Sequence, residues 1–193
     1  MHEIEPLITA LAGHRPRRRR LRRRLKRAAV AAILRETGQG VEVLLVQRAR
    51  RRGDPWSGDM ALPGGRIDGV DAASASRAAC RETEEETGLR LTRRSGIGRL
   101  SDRLTLDHRR RAPMIVSPFV YRAPADTGIR ANHEIAGTHW LPLARLDENG
   151  HRDILHWRIG GLTVRMLCHD CGEGRRLWGL TLAILDELVA LGR

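Results

Sequence analysis

The chain has 193 residues, a formal net charge of +12, 41% hydrophobic residues and 3% aromatic residues. A chain of this length can bury one core of its own, and here that core must be built from aliphatic side chains. The three cysteines argue against a disulfide framework, and no apolar run approaches the roughly 18 residues that span a membrane. We therefore expect a cytoplasmic protein with no membrane partner.

An N-terminal helix and a basic arm, residues 1–27, are expected to precede the main domain, residues 28–193. Near the start, helical spacing aligns four apolar side chains on one side of the predicted helix, namely Ile4, Leu7, Ile8 and Leu11. Residues 15–27 then hold ten basic side chains and no acidic one, so the rest of the chain is nearly neutral.

The basic arm admits three interpretations. It is a solvated leader into the first strand, a contact for nucleic acid or an anionic membrane, or an edge of the active site that attracts phosphates. No aromatic side chains that would stack on bases are interleaved with the arginines. For that reason we do not expect specific nucleic-acid binding.

Two apolar runs rich in β-branched residues, 28–34 and 41–47, flank a turn-like segment and predict a β-hairpin. A basic loop follows and leads to Pro63-Gly64-Gly65. The loop is either a solvated turn or a source of guanidinium groups for a pyrophosphate, which arginine binds bidentately. On the second interpretation we assign four residues to substrate binding: Arg48, Arg52, Gly64 and Arg66.

An acidic helix end follows the two glycines. We expect the helix to begin with Asp71 as its N-cap and to end at Gly88 in the left-handed conformation. Residues three and four apart share a helix face, which groups Glu82, Glu85 and Glu86. The simplest interpretation is a solvated acidic helix end.

A metal site is the alternative, and the neighbouring glycines favour it. Three adjacent carboxylates repel one another, only Arg81 offsets them, and a divalent cation would relieve the repulsion. Carboxylate oxygens suit Mg²⁺ or Mn²⁺. Because glycine lets the backbone approach closely, the Gly65 carbonyl oxygen is a further candidate ligand beside Glu82, Glu85 and Glu86.

The remaining pattern predicts an α/β fold. Strands are expected at residues 97–106, 115–121 and 134–143, and a hairpin is expected around Gly160-Gly161. Apolar residues from Leu177 to Leu191 recur at helical spacing and predict a C-terminal helix. A single C-x-x-C at Cys168 and Cys171 supplies too few ligands for a closed zinc site, so we expect no zinc or redox chemistry there.

The acidic segment also resembles the Nudix box of the Nudix hydrolases, G-x5-E-x7-R-E-U-x-E-E-x-G-U, where U is aliphatic. The second half of the box matches without a gap at Arg81, Glu82, Glu85, Glu86, Gly88 and Leu89. Thr83 departs from the aliphatic position. The loop after Gly65 is two residues longer than in the box, so Asp68 or Asp71 stands in for the first glutamate.

This resemblance implies an α/β/α sandwich with a mixed sheet and a pyrophosphohydrolase that cleaves a phosphoanhydride in a small-molecule substrate. It implies that Mg²⁺ or Mn²⁺ ions lower the pKa of a water that attacks phosphorus. It further implies that Arg81 orients a carboxylate and that Glu85, Glu86 or Glu134 is the general base. Family members are often dimers, so a homodimer is also an expectation.

Within the family, the coenzyme A pyrophosphatase branch is the most similar. The shared residues are Leu44, Leu45, Arg48, Gly58, Pro63, Gly64 and Gly65, whereas Val46, Ala49, Asp54 and Leu62 depart from its pattern. The expected substrate is therefore a nucleoside diphosphate derivative such as coenzyme A. Alternatives are ADP-ribose, nucleotide sugars and oxidised nucleoside triphosphates. A nucleotide-sensing protein that binds nucleic acid is a further alternative, against which the intact acidic residues argue.

Overall fold

The computed structural model describes residues 3–19, 25–50, 52, 56–71, 74–107, 112–125, 128–147, 152–159 and 161–193. Part of the basic arm, residues 20–24, lies outside this range, as do Asp54 and Gly160. The helices in the described residues are α1 Glu5–Gly13, α2 Ala75–Thr87, α3 Ala144–Asp147 and α4 Gly179–Leu191. The strands are β1 Lys26–Thr37, β2 Gly40–Arg48, β3 Met60–Ala61, β4 Gly64–Arg66, β5 Gly96–Arg99, β6 Arg103–Asp107, β7 Ala112–Arg122, β8 Ile135–Pro142, β9 Arg152–Ile159, β10 Leu162–Asp170 and β11 Arg176–Trp178.

The larger sheet is organised around β1. β1 forms the predicted hairpin with β2, pairs with β4 near its start, and runs parallel to β7 along its other edge. β8 and β3 pair with β2, and β5 and β6 pair with β7. Because the β1–β7 pair is parallel and the others are antiparallel, the sheet is mixed, as predicted.

Alternating side chains of β1 build the two faces of this sheet. Ala29, Ala31 and Ile33 belong to the cluster that includes α2, whereas Ala32 and Leu34 belong to the cluster shared by α1 and α4. The predicted helical side of α1 is buried in that second cluster, with the Leu7 side chain fully inaccessible and Ile8 partly buried. The sheet therefore lies between helices, as expected.

A second, three-stranded sheet consists of β9, β10 and β11. The hairpin predicted around residues 160–161 is confirmed. β9 and β10 pair antiparallel, with Ile159 opposite Leu162 at one end and Arg152 opposite His169 at the other. The start predicted for the C-terminal helix was wrong. Leu177 lies in β11, where it pairs with His169, and α4 begins at Gly179. Trp178 packs edge-on against Trp157 with ring centroids 4.9 Å apart, which holds this segment extended.

The prediction of one strand over residues 97–106 was also wrong. β5 ends at Arg99 and β6 begins at Arg103, so the chain leaves the ladder between them. The Asp102 side chain is buried there and is bound by Arg99 and by the Ser117 hydroxyl at 2.7 Å. This polar anchoring interrupts the strand.

None of the described helices has the length and apolar character needed to cross a membrane. The three cysteines are free thiols, with Cys168 and Cys171 buried.

Candidate active site

The two glycines of β4 bring the chain unusually close to its neighbours. Gly64 has a φ of 142°, and a Cβ there would overlap the Ala29 carbonyl group on β1. A Cβ at Gly65 would overlap the carboxylate of Glu82 instead. Only glycine at these two positions lets β4 lie against both β1 and the acidic end of α2.

Helix α2 packs on the sheet through small side chains. Ala78 and Ala79 are fully buried against β1, and Thr83 is buried in the same helix. Thr83 therefore takes a core position in spite of its hydroxyl. The acidic residues occupy the adjacent face, where Glu82 and Glu86 are half-buried and Glu85 is exposed.

The predicted helix end is confirmed, whereas the predicted N-cap was wrong. Gly88 has a φ of 74° and its N–H donates to the Glu84 carbonyl at 2.8 Å. The N-cap is Ser74, not Asp71. Asp71 lies in a short 3-10 turn, Gly69–Asp71. Its side chain is buried and accepts a hydrogen bond from Arg81.

Glu86 is held at the junction of α2 and β4. Its Oε2 atom accepts a hydrogen bond from the Gly64 N–H at 3.0 Å. The pKa of Glu86 is raised to about 7, chiefly by burial and also by the neighbouring charges of Glu82 and Glu134, against the opposing effects of the Gly64 hydrogen bond and the Arg48 charge. The pKa of Glu82 is also raised, chiefly by burial. A carboxylate with a pKa near neutrality can accept and release a proton.

Arg81 connects the acidic residues to the loop before the helix. Its guanidinium group lies 2.8 Å from Glu82 and 3.1 Å from Glu85, and its Nε donates to Asp71 at 3.0 Å. It also donates to the Arg66 carbonyl at 3.3 Å. Burial lowers the pKa of Arg81, but the hydrogen bonds to Glu85, Asp71 and Glu82 raise it above its ordinary value. Arg81 is therefore fixed beside the carboxylates as a permanent cation.

The two aspartates that were candidates to replace the missing box glutamate differ in their contacts with Arg81. Asp68 is 67% exposed and 3.9 Å away, whereas Asp71 is 3% exposed and hydrogen-bonded. We expect Asp71→Asn to lower activity by about 10- to 100-fold, because it weakens the anchor of a group that positions the carboxylates. It should also lower the free energy of unfolding by about 1–3 kcal/mol. Steady-state kinetics and urea unfolding would measure both effects.

Asp68→Asn is the matched control, and it should change stability by less than about 0.5 kcal/mol. Equal losses of activity in the two variants would contradict the assignment of the anchor to Asp71.

A cleft opens beside Glu86, and several of the predicted site residues meet there. Glu86 from α2, Gly64 from β4, Arg48 from β2 and Glu134 from the loop before β8 all line it. The other lining residues are Val46, Ala49, Ala61, Leu62 and Ile135. Four segments that are distant in sequence thus place two carboxylates and one guanidinium group around a single concave surface.

Backbone hydrogen bonds fix both sides of this cleft. The loop that carries Glu134 is attached to the end of α2, because the Asn132 N–H donates to the Glu86 carbonyl at 3.1 Å. The side chain of Asn132 in turn accepts from the Glu134 N–H at 2.8 Å. On the opposite side, the Arg48 N–H donates to the Asp59 carbonyl at 3.1 Å and the Ala49 N–H donates to the Glu134 carbonyl at 2.9 Å. The position of Glu134 relative to Glu86 is therefore built into the fold.

Other predicted residues lie elsewhere. Arg52 is exposed, and neither Arg52 nor Arg66 is among the residues that line the described cleft. Arg66 instead pairs with Ala28 in the sheet. The aromatic residues with described side chains do not line the cleft either. Sequence reasoning missed Asn132, although an asparagine two residues before a glutamate is a typical turn signal.

The acidic residues fit a divalent cation by their donor chemistry and their surroundings. Oxygen donors from Glu82, Glu85 and Glu86 lie on one helix face. The Glu82 carboxylate occupies space beside Gly65 that a Cβ at that position would fill. Among the described residues, no three His, Cys, Asp or Glu side chains already surround a common point, and Arg81 pairs with both Glu82 and Glu85. A bound cation would therefore share Glu82 and Glu85 with Arg81.

Comparison with known proteins adds the family. The NUDIX domain model matches residues 24–158. An uncharacterized protein of Schizosaccharomyces pombe is 37% identical over 108 residues, which are 54% of this chain and 32% of that protein. The chain thus spans about a third of the length of that relative.

Two solved structures are similar as well. The MutT NUDIX hydrolase from Burkholderia pseudomallei is 26% identical with a TM-score of 0.50, covering 62% of this chain and 84% of that chain. A MutT/nudix family protein from Enterococcus faecalis is 19% identical with a TM-score of 0.55, covering 86% of this chain and 60% of that chain. The second similarity supports the fold.

Proposed function

Since the chain belongs to the NUDIX domain family, we propose that it is a metal-dependent pyrophosphohydrolase acting on a nucleoside diphosphate derivative. The observation that carries this proposal is the convergence of Glu86, Gly64, Arg48 and Glu134 on one cleft, beside the acidic face of α2. A half-buried carboxylate, Glu86, and an exposed one, Glu134, share this cleft with the guanidinium group of Arg48. This combination suits a reaction in which an anionic substrate is bound and a proton is removed from water.

The metal would be held by Glu82, Glu85 and Glu86, with the Gly65 carbonyl oxygen as a further ligand. A divalent ion supplies charge neutralisation on the phosphate oxygens and lowers the pKa of water. Asp71 and Arg81 act through these carboxylates. Asp71 anchors Arg81 beside Glu82 and Glu85, two carboxylates that helical spacing places on the same side of the helix.

Glu86 is our candidate for the general base. In the metal-free protein its pKa of about 7 lets it accept a proton near neutral pH, and its hydrogen bond from the Gly64 N–H fixes its orientation. Glu86 would act as the base when Glu82 and Glu85 hold the ion without it. Glu134, across the cleft, raises that pKa by its charge and is the second candidate. Arg48 lines the same cleft and would bind the diphosphate, for which a guanidinium group is well suited.

For the substrate we propose coenzyme A or a related nucleoside diphosphate derivative. The support is the segment that shares Leu44, Leu45, Arg48 and Gly58 with the coenzyme A pyrophosphatase branch. In the structure this segment forms β2 and the turn that fixes Arg48, with the Gly58 N–H donating to the Arg48 carbonyl at 3.1 Å. Of the residues shared with the branch, Arg48 and Gly64 line the cleft, whereas Val46, Ala49 and Leu62, which also line it, depart from the branch pattern. The support for coenzyme A is therefore the placement of Arg48.

A substrate panel tests this proposal. Coenzyme A, ADP-ribose, a nucleotide sugar, a dinucleoside polyphosphate and nucleoside triphosphates would be incubated with Mg²⁺, with Mn²⁺ and with a chelator. We expect phosphoanhydride cleavage only with a divalent ion, and the highest kcat/KM with coenzyme A. A higher kcat/KM for another diphosphate would change the substrate assignment to that compound. Hydrolysis undiminished by the chelator, or no hydrolysis of any compound, would contradict the proposed activity.

A further inference from the structure

Hydrogen bonds fix the backbone at the start of the basic arm on the protein surface. The Arg17 N–H donates to the Ser101 hydroxyl at 3.0 Å, and the Arg17 carbonyl accepts from the Asp102 N–H at 2.9 Å. The Arg19 N–H donates to the Asp102 carboxylate at 3.0 Å. Three hydrogen bonds therefore fix the backbone of residues 17–19, while the side chains of Arg17 and Arg19 remain exposed.

The acidic residues beneath the arm already have partners. Asp102 is buried and binds Arg99 and Ser117 in addition to the Arg19 N–H. Glu187 of α4 accepts from the Ser101 N–H at 2.9 Å and from Arg103 at 2.8 Å, and lies 3.1 Å from His14. These two carboxylates hold the arm and its neighbours in place through short contacts, instead of pairing with the exposed arginines.

The arm and these residues enclose a groove of about 640 Å³. It is lined by His14, Arg15, Arg17, Arg18, Arg19, Ser101, Asp102, Arg103 and Glu187, none of which is apolar. Within the described residues, the four arm arginines form no side-chain ion pair, and all four are exposed. The arm therefore offers four guanidinium groups within five residues to a ligand that carries several anionic groups.

We propose that this groove, which we call the arm groove, binds single-stranded nucleic acid through its phosphodiester backbone. Successive phosphates of a single strand are such anionic groups, and guanidinium groups bind phosphate with two parallel hydrogen bonds. No aromatic side chain lines the groove to stack on bases, so the binding is independent of sequence. This differs from the specific recognition that the sequence argued against.

The shape and lining of the arm groove favour this ligand over an anionic membrane. A membrane surface is broad and flat, and peripheral binding to it uses apolar side chains that insert between lipids. The arm groove is concave, and every residue that lines it has a polar or charged side chain. The groove shares no lining residue with the cleft around Glu86. A failure to bind nucleic acid would therefore not contradict the proposed hydrolase activity.

The test measures binding of the full chain to a fluorescent oligothymidylate by anisotropy across a range of salt concentrations. Contacts from four guanidinium groups predict a slope of log K against log salt of about −2.8. The variant carries Arg15→Gln, Arg17→Gln, Arg18→Gln and Arg19→Gln, which keeps the backbone hydrogen bonds of the arm. The matched control replaces four exposed arginines outside the groove, namely Arg93, Arg94, Arg158 and Arg165, with glutamine.

We expect the arm variant to reduce the magnitude of the slope by at least half and to weaken binding at least tenfold at low salt. The control should bind at least five times more tightly than the arm variant. An oligodeoxyadenylate should bind as tightly as the oligothymidylate, since no base is read. Equal losses in the arm variant and the control would overturn the proposal. So would binding to phosphatidylserine vesicles without binding to either oligonucleotide. Circular dichroism would show that both variants are folded.

Discussion

Replacing Glu86 with glutamine is expected to lower the rate of phosphoanhydride hydrolysis by roughly a hundredfold to ten-thousandfold. The amide oxygen of the introduced glutamine can still accept the hydrogen bond from the Gly64 N–H, so the local structure should be kept. What is lost is a carboxylate that can accept a proton and bind a cation. Steady-state kinetics at saturating Mg²⁺ with the best substrate of the panel would measure the loss in kcat.

The same variant should be more stable than the wild type in the absence of metal. The pKa of Glu86 is raised to about 7, chiefly by burial. Because the carboxyl pKa is higher in the folded protein than in the unfolded chain, protonation of Glu86 stabilises the fold. This stabilisation is complete below the pKa of the unfolded chain and is lost as the pH rises through about 7. At pH 8 the variant should therefore gain about 1–3 kcal/mol over the wild type, and below pH 4 it should gain nothing.

Glu84→Gln is the control for both effects. Glu84 belongs to the same acidic segment, but it is exposed and pairs with Arg90 at 2.6 Å. We expect activity and stability near those of the wild type. A Glu86→Gln enzyme with full activity would exclude Glu86 from the catalytic residues. A loss of activity in Glu84→Gln as large as that in Glu86→Gln would show that the effect comes from the overall negative charge of the helix.

Adding one methyl group at Gly65 is expected to lower activity by about a hundredfold. A Cβ at this position would overlap the Glu82 carboxylate, so Glu82 must move. A displacement of about 1 Å in a catalytic group can cost this much rate. Because Glu82 lies near the protein surface, Gly65→Ala should still fold, and the loss should appear in the Mg²⁺ dependence of kcat as well as in its maximum.

Gly137→Ala provides the matched control for this substitution. Gly137 lies in β8, where an added Cβ would meet no atom within 4 Å. We expect normal activity from this variant. Thermal unfolding would separate a local effect from a global one. If Gly65→Ala hydrolysed its substrate at the rate of the wild type, the close approach of β4 to Glu82 would have no catalytic role.

Local signals in the sequence were sufficient for much of the fold. The β1–β2 hairpin and the end of α2 at Gly88 were correctly predicted, because turn residues and a left-handed glycine act over a few positions. The break between β5 and β6 could not be predicted this way. It depends on the burial of Asp102 against Ser117, a residue that is 15 positions away in the chain.

In the candidate site, too, local patterns predicted some residues correctly, whereas contacts between distant segments determined others. Glu82, Glu85 and Glu86 follow from helical spacing alone. Asp71 was misassigned as an N-cap, because its burial against Arg81 depends on how the loop after β4 folds back onto α2. The approach of Glu134 to Glu86 was suggested by the family resemblance and not by any local pattern, because it results from the hydrogen bond between Asn132 and the end of α2. Contacts between distant segments have no periodicity that a sequence pattern could show.

Direct titration with Mn²⁺, followed by electron paramagnetic resonance, tests the central claim that the acidic face of α2 holds a divalent ion. The wild type would be compared with a variant that carries Glu82→Gln, Glu85→Gln and Glu86→Gln. No substrate needs to be known for this measurement. We predict that the wild type binds at least one Mn²⁺ ion per chain, with competition by Mg²⁺, and that the variant binds at least 100-fold more weakly. Equal binding by the two proteins, or no binding by the wild type, would contradict the claim.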